Sequence, residues 1–416
     1  MIIRSKRIYA DKGVVDGYLI VEKGKITNIC DKSANLHADL DVSDKMIIPG
    51  IFDTHNHGTM GYGLMNKGDK TKAEIKGYLK GLVSQGVTSV FPTAISDIFK
   101  DIVAVSKEEN DGATILGIHS EGPYLNRTGE KSFETGYPDA DMEFVKQMVK
   151  DGGGMLKLVA LAPEIPGIDE AIKYFTDNGI RVSYAHSDCN YGEARNAFKK
   201  GLTIATHASN VMSGIHHRNM GGLGACLLDE DIYCEVICDG LHVAPEMLEL
   251  MFKVKPYDKW MMISDNAPVA GATTGRYGYG WLDAQMEKES FEISQAGRLY
   301  NFGWLEVNVD EQGFCLSDSG RLCGSTKPVL YGMSVLHNEL KIPMETIVKM
   351  ASLNPCIVYG FDKEKGSITV GKDADFVVIS DDYKALYTYC NGRKVYDYQV
   401  DTDTFNPDFF NEAKLN

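Results

Sequence analysis

The segment Asp53-Thr54-His55-Asn56-His57-Gly58 sets two imidazoles one residue apart, directly after the apolar run Met46–Phe52. Extended backbone sends alternate side chains to the same face, so His55 and His57 project together from a strand end. Two convergent imidazoles suit a borderline divalent ion such as zinc, although a pair of surface histidines in a turn has the same spelling. Further apolar runs also end on polar residues: His119-Ser120-Glu121, His186, His207, Asp239 with His242 just beyond, and Asp265. A lone histidine at any one of these ends is more often a satisfied core or rim residue than a ligand. Together, Glu121, His186 and His207 offer one carboxylate and two imidazoles, which leaves a position open for water as catalytic zinc requires. His55 and His57 serve either a second ion or the first. A metal-bound water ionises near neutrality, and Asp265 is then the candidate general base, orienting that water, taking its proton and returning it to a leaving nitrogen. Asp265 as a metal ligand or strand-end cap is the alternative, and the roles are not exclusive.

These residues meet only if the elements that carry them share one mouth. Eight apolar β-type runs recur at Gly50–Asp53, Val87–Thr93, Ile115–Glu121, Leu156–Ala162, Arg181–His186, Thr203–His207, Tyr233–Asp239 and Trp260–Asp265. Segments with helical spacing lie between most of them: Ala73–Val83, Met142–Val149, Ile168–Phe175, Glu193–Lys200 and Pro245–Phe252. Strands alternating with helices imply parallel strands joined by crossovers, and eight such units close into an α/β (β/α)8 TIM barrel whose strand ends face a common mouth. An open doubly wound sheet is the alternative, without a GxGxxG after the first strand to support it.

Short strand patterns at both termini, including Asn391-Gly392 as a hairpin turn, are each small for an independent sheet. We expect residues 1–48 and 360–400 to pair into a small β-sandwich domain, with the barrel over 49–359 inserted between them and an excursion at about 270–325. A helix over Met344–Leu353 is expected to stop before Pro355, and the polar tail from Asp401 to be loosely held. The net charge of −15 argues against nonspecific nucleic-acid binding. No apolar run approaches the roughly 20 residues that cross a bilayer. Nine cysteines without CxxC pairing point to a reducing compartment, with the cytoplasm as the default.

At this point the chain resembles the metal-dependent amidohydrolase superfamily and, within it, the N-acetylglucosamine-6-phosphate deacetylase family. The likeness runs from Pro49-Gly50 through DxHxHG at 53–58 to Gly371-Lys372-Asp373-Ala374-Asp375. His119-Ser120-Glu121-Gly122-Pro123-Tyr124-Leu125-Asn126 is similar to the family's HLEGPFLN, and Thr206-His207-Ala208-Ser209-Asn210-Val211-Met212 to its THLFNAM. Asp239-Gly240-Leu241-His242 and Ser264-Asp265-Asn266-Ala267-Pro268 complete the set. The resemblance implies Glu121, His186 and His207 as primary ligands of one or two divalent ions, zinc first and iron as the other option, and Asp265 as the acid/base. It also implies that Asn210, the Val211 backbone and His242 contact the sugar. Arg218, eleven residues after His207, falls where the family binds phosphate, with His216 and His217 beside it. Leu322-Cys323-Gly324-Ser325 matches a substrate-lining turn. The activity implied is removal of acetate from an N-acetylamino sugar 6-phosphate by a homodimer. Phe133 stands where family members commonly carry a histidine that approaches the sugar, and Ser120 and Ser209 replace a leucine and an aromatic. These departures leave the metal set untouched and bear on the substrate. A hydrolase of another N-acyl or cyclic amide is the nearest rival, and a ligand-binding protein on an inactive barrel is the rival from a different class.

Overall fold

The computed structural model describes the chain except residues 65–67, 127–138, 280–290, 296–297, 303–304, 319, 403, 407–408, 410–413 and 416. Eight strands form the parallel core: β1 (Ile51–Asn56), β2 (Val87–Pro92), β3 (Ile118–Glu121), β4 (Leu156–Leu161), β5 (Arg181–Tyr184), β6 (Leu202–Ala205), β7 (Tyr233–Ile237) and β8 (Trp260–Ile263). Parallel pairing runs from β1 to β2 and from β3 through β8. A bridge between Thr93 and His119 links the two sets, and the Asp265 N–H donates to the His55 carbonyl at 2.9 Å to close the ring. The sheet therefore curls into a barrel. The expected third run is split in two: Thr114–Ile115 pairs with β2 alone, and β3 begins only at Ile118.

Buried on both faces, the strands of β1 and β2 have no exposed residue at all, as a parallel sheet under a helical layer requires. Leu158, Ile204 and Met261, from the alternate strands β4, β6 and β8, form one interior layer with Val358. Phe52 and Phe91 meet edge to face at 5.0 Å, and Tyr359 packs on Phe91 at 4.7 Å. That aromatic plug fills the interior on one side, so the polar strand ends are left at the other.

The five amphipathic helices anticipated above all form, at Thr71–Val83, Met142–Asp151, Ile168–Asp177, Tyr191–Lys199 and Pro245–Val254. The fourth starts on a capping box in which the Asn190 side chain accepts from the Glu193 N–H and the Glu193 carboxylate accepts from the Asn190 N–H. The helix Gly221–Leu228 was not anticipated, because all of its residues but Leu228 are buried and it shows no polar stripe. Pro355 does not end the helix that begins at Met344. A wide π turn over Lys349–Leu353 passes into a further helix, Asn354–Tyr359, with Pro355 in its first turn, where the missing N–H costs least. That helix stops at Gly360, whose φ of 79° suits a left-handed C-terminal cap.

Both chain ends enter one hydrogen-bonded sheet in the order Arg393–Asp397, Ala385–Cys390, Phe376–Ile379, Met46–Pro49, Ile2–Ala10, Gly13–Glu22 and Lys25–Asp31. Met46–Pro49 lies between an N-terminal and a C-terminal strand and runs through Gly50 into β1. Gly50 is required there, since a Cβ would fall 2.1 Å from the Thr88 hydroxyl. The sheet encloses its own core, including Ile3, Leu19, Ile47, Phe376 and Val378. After β8 the chain makes a second antiparallel sheet from Gly275–Tyr279, Leu305–Val309 and Cys315–Ser317. Lys414–Leu415 adds to its edge, and the Asn406 N–H donates to the Met60 carbonyl at 2.8 Å, so the described part of the tail is tied down and not loose.

Lys365, with a side chain 9% exposed, donates to Asp375 at 2.5 Å and to Asp373 at 3.0 Å, and Asp375 also accepts from the Asn391 N–H at 2.7 Å. Asp373 also pairs with Lys25 at 2.6 Å, so removing Lys365 leaves Asp375 as the buried carboxylate without its cation. Lys365→Met is expected to cost about 3 to 5 kcal/mol, read from the midpoint of urea unfolding.

Candidate metal centre and active site

The barrel brings His55, His57, Glu121, His186, His207 and Asp265 to one point. Glu121 Oε1 lies 3.0 Å from both His186 Nε2 and His207 Nε2, and those two nitrogens are 3.1 Å apart. On the other side Glu121 Oε2 is 3.0 Å from His57 Nε2, which is 3.1 Å from His55 Nε2. Each trio of donors, His55–His57–Glu121 and Glu121–His186–His207, lies within 4.8 Å of itself, and the two share the Glu121 carboxylate. Hydrogen bonding does not account for the second trio: if both imidazoles donate to one oxygen, their own contact has no acceptor. Donors on a tetrahedral zinc ion sit about 3.3 Å apart at ordinary bond lengths, so a divalent ion fits where protons do not.

The electrostatics ask for the same thing. Burial works against charge on His55, yet Glu121 and Asp265 hold its pKa well above the usual imidazole range. Burial likewise opposes ionisation of Glu121, and His55 and His186 overcome it and keep its pKa low. Asp265 Oδ1 completes the mouth at 3.4 Å from His55 Nε2 and 3.5 Å from His57 Nε2. The backbone is bent to make these contacts. His186, His207 and Asp265 sit at φ 48°, 32° and 51°, just past the ends of β5, β6 and β8. Val211 does so at 52°, uncommon for a branched residue.

A shell of fixed groups holds the donors. Asp53 is fully buried and accepts from the Ser264 hydroxyl at 2.5 Å, from Asn56 Nδ2 at 3.1 Å and from the His55 N–H at 3.3 Å. Glu164, just beyond β4, accepts from Asn126, from the Ser187 hydroxyl and from the Asp188 N–H, and so pins the loop that follows His186. Asp239 accepts from His242 Nδ1 at 2.8 Å and from the Ser325 hydroxyl at 3.0 Å. Burial opposes charge on His242, but the Asp239 contact raises its pKa above the ordinary value.

The remaining residues expected at the site lie on loops outside the named strands and helices. Asn210 Nδ2 and N–H both point back to the His207 carbonyl, and the Val211 carbonyl accepts from the Ser187 N–H. His217 and Arg218 are exposed at the tip of a turn closed by reciprocal backbone bonds between His216 and Asn219. Arg218 forms no ion pair among the described residues. Leu322, Cys323 and Gly324 lead into Ser325, whose N–H donates to the Asp265 carbonyl at 2.8 Å; Gly324 takes φ 74°, and a Cβ on it would lie 3.1 Å from that same carbonyl. Phe133 lies outside the described residues. Sequence reasoning named Asp53 and His119 only as parts of motifs, with no role, and missed Glu164 and Glu235. The signal for Glu164 was its place just beyond the end of β4, the region in which the other strands carry His186, His207, Asp239 and Asp265. Glu235 sits in mid-strand, where no motif marks it.

A closed parallel α/β barrel with histidine and carboxylate donors gathered at its strand ends defines a metal-dependent hydrolase barrel. The amidohydrolase family pattern matches residues 46–267 and 313–408. The chain belongs to that family and, within it, to the N-acetylglucosamine-6-phosphate deacetylases. It is 30% identical to the N-acetylglucosamine-6-phosphate deacetylase of Vibrio furnissii over 90% of each chain, and 29% identical to that of Bacillus subtilis over 94% of this chain and 96% of the other. Among solved structures it is similar to the Pasteurella multocida enzyme of the same name, with 27% identity, a TM-score of 0.75 and coverage of 94% and 98%. The fold is shared with the Mycobacterium smegmatis deacetylase solved with N-acetyl-D-glucosamine-6-phosphate, at 22% identity, a TM-score of 0.79 and coverage of 95% and 99%.

Burial raises the Asp53 pKa from 3.8 to about 6, against the hydrogen bonds from Ser264 and Asn56. Between pH about 4 and about 6 the folded chain therefore keeps a proton that the unfolded chain has released. Stability falls as pH rises through that window, by roughly 3 kcal/mol from this group. Urea midpoints of the metal-free chain measured across it should fall less steeply in Asp53→Asn.

Proposed function

We propose that this chain hydrolyses the acetamide of N-acetylglucosamine 6-phosphate to the amino sugar phosphate and acetate. The observation that carries the reading is the Glu121 carboxylate shared between two histidine pairs, with Asp265 3.4 to 3.5 Å from one pair. Glu121, His186 and His207 would hold one divalent ion in this reading, and His55, His57 and Glu121 would hold a second. The ion, zinc first and iron as the other ion these donors accept, supplies Lewis acidity at the acetamide carbonyl and hydroxide near neutral pH.

Asp265 takes the proton of the attacking water and returns it to the nitrogen, which leaves as an amine and not as an unstable amide anion. Its fixed backbone, bonded to His55 on one side and Ser325 on the other, keeps the carboxylate over the centre during both transfers. His242, charged more readily than a free imidazole because of Asp239, donates toward the sugar, and Asn210 and the Val211 backbone line the same side. Arg218 and His217 take the phosphate, for which an uncommitted guanidinium fork is suited. Leu322, Cys323 and Gly324 close the wall beside Asp265. Residues 1–48 with 360–400 act as a small β-domain supporting a catalytic barrel over 49–359, which carries its excursion at about 270–325. Nine free cysteines and the lack, among the described residues, of a helix long and apolar enough to cross a membrane support a cytoplasmic location. The homodimer rests on the family resemblance.

Asp265→Asn should reduce acetate release by at least 1,000-fold, on the order expected for loss of a general acid/base, while metal content per chain is unchanged. Arg218→Gln should raise KM for N-acetylglucosamine 6-phosphate at least tenfold and leave the unphosphorylated sugar nearly unaffected, since a charge-assisted phosphate contact carries about 1.5 to 3 kcal/mol. Equal effects on the two sugars would remove the phosphate site. Acetate release across N-acetylhexosamines with and without 6-phosphate tests the substrate itself.

A further inference from the structure

The barrel interior holds a carboxyl group that the reaction above does not use. Glu235, in the middle of β7, is 0% exposed. Its Oε1 accepts from the Thr54 hydroxyl at 2.5 Å, and its Oε2 has no hydrogen-bond partner. His55 Nδ1 lies 3.8 Å away and is equally buried and equally unpartnered. A buried acceptor and a buried donor that each lack a partner are destabilising, and a small rotation of the carboxyl joins them. The opposite ring nitrogen, His55 Nε2, faces the donor cluster, 3.1 Å from His57 Nε2. Imidazole carries one proton when neutral, so whatever accepts from Nδ1 decides that Nε2 presents a lone pair.

We propose that Glu235 is the positioning residue for the His55–His57–Glu121 ion. It accepts the Nδ1–H of His55, fixes the tautomer and the ring, and thereby makes the Asp-Thr-His-Asn-His segment a metal ligand pair and not a pair of packed histidines. Thr54, the neighbour of His55 on β1, holds the carboxyl from its other oxygen, so the device spans β1 and β7 inside the barrel. Among the described residues the Glu235 side chain makes no hydrogen bond or ion pair with Glu121, His186 or His207, so an ion held by those three should survive its loss. The inference rests on the two-trio reading of the centre but not on the substrate.

The test is zinc binding by the full-length chain, with stoichiometry by elemental analysis after gel filtration and affinity by competition against a chromophoric chelator. The wild-type chain should bind two ions. Glu235→Leu, which keeps the bulk but removes the acceptor, should weaken the second ion by 10- to 100-fold, the range found for lost outer partners of metal-ligating histidines, and leave the first unchanged. Glu235→Gln keeps an oxygen and should fall between the two. Circular dichroism identifies any variant that fails to fold, in which case Glu235→Gln against the wild type decides. In a His55→Ala background, Glu235→Gln should have no further effect on zinc affinity. A wild-type chain with one ion, or two ions held with unchanged affinity in Glu235→Gln and Glu235→Leu, would overturn the proposal. If acetate release fails on every sugar while the zinc result holds, only the substrate reading falls.

Discussion

One closure, made by the backbone hydrogen bonds from the Asp265 N–H to the His55 carbonyl and from the His57 N–H to the Asn266 carbonyl, decides most of this structure. It joins the last strand of the barrel to the first, and without that closure the eight strand ends would fan out along an open sheet. It also brings residues more than 200 positions apart in sequence within reach of one another. The closure occurs at two functional residues, so the same bond that completes the fold fixes the distance between the carboxylate and the two imidazoles.

The cost of the arrangement is a concentration of charge where little water reaches. Asp53, His55, His119 and Glu235 are almost wholly enclosed, and His186, His207 and Asp265 hold left-handed backbone angles. Such features are destabilising by themselves and persist because the barrel wall over-determines them. Several buried groups are matched to fixed neighbours: Asp53 to Ser264 and Asn56, His119 through Nδ1 to Thr93, Asp239 to His242 and Ser325. Glu235 and His55 stand apart because they find each other only partly.

The strands of the barrel and the ligand trio were legible because both are local signals repeated: an apolar run, then a polar residue at its end. The donors were found from position and not from any single motif. Gly221–Leu228 escaped because a helix with no exposed face has no period to read, and Pro355 misled because a wide turn beforehand leaves room for its ring. Glu235 was invisible for a different reason. Its meaning lies in atoms contributed by another strand, and nothing within a few residues of it announces a partner. The tail was read as loose from its polarity, yet Asn406 and Lys414–Leu415 are held by backbone bonds, which composition does not report.

Met46–Pro49 pairs with Ile2–Ala10 on one side and with Phe376–Ile379 on the other, immediately upstream of the strand that bears His55 and His57. During synthesis on the ribosome, the segment that emerges early is therefore left with one flank bare until nearly the entire chain has been made. Its long-range partner must be recruited across the finished barrel, a slow step that keeps an apolar strand edge available for mispairing in the meantime. A chain cut short before residue 376 would carry all the proposed ligands while leaving Met46–Pro49 paired on one side only.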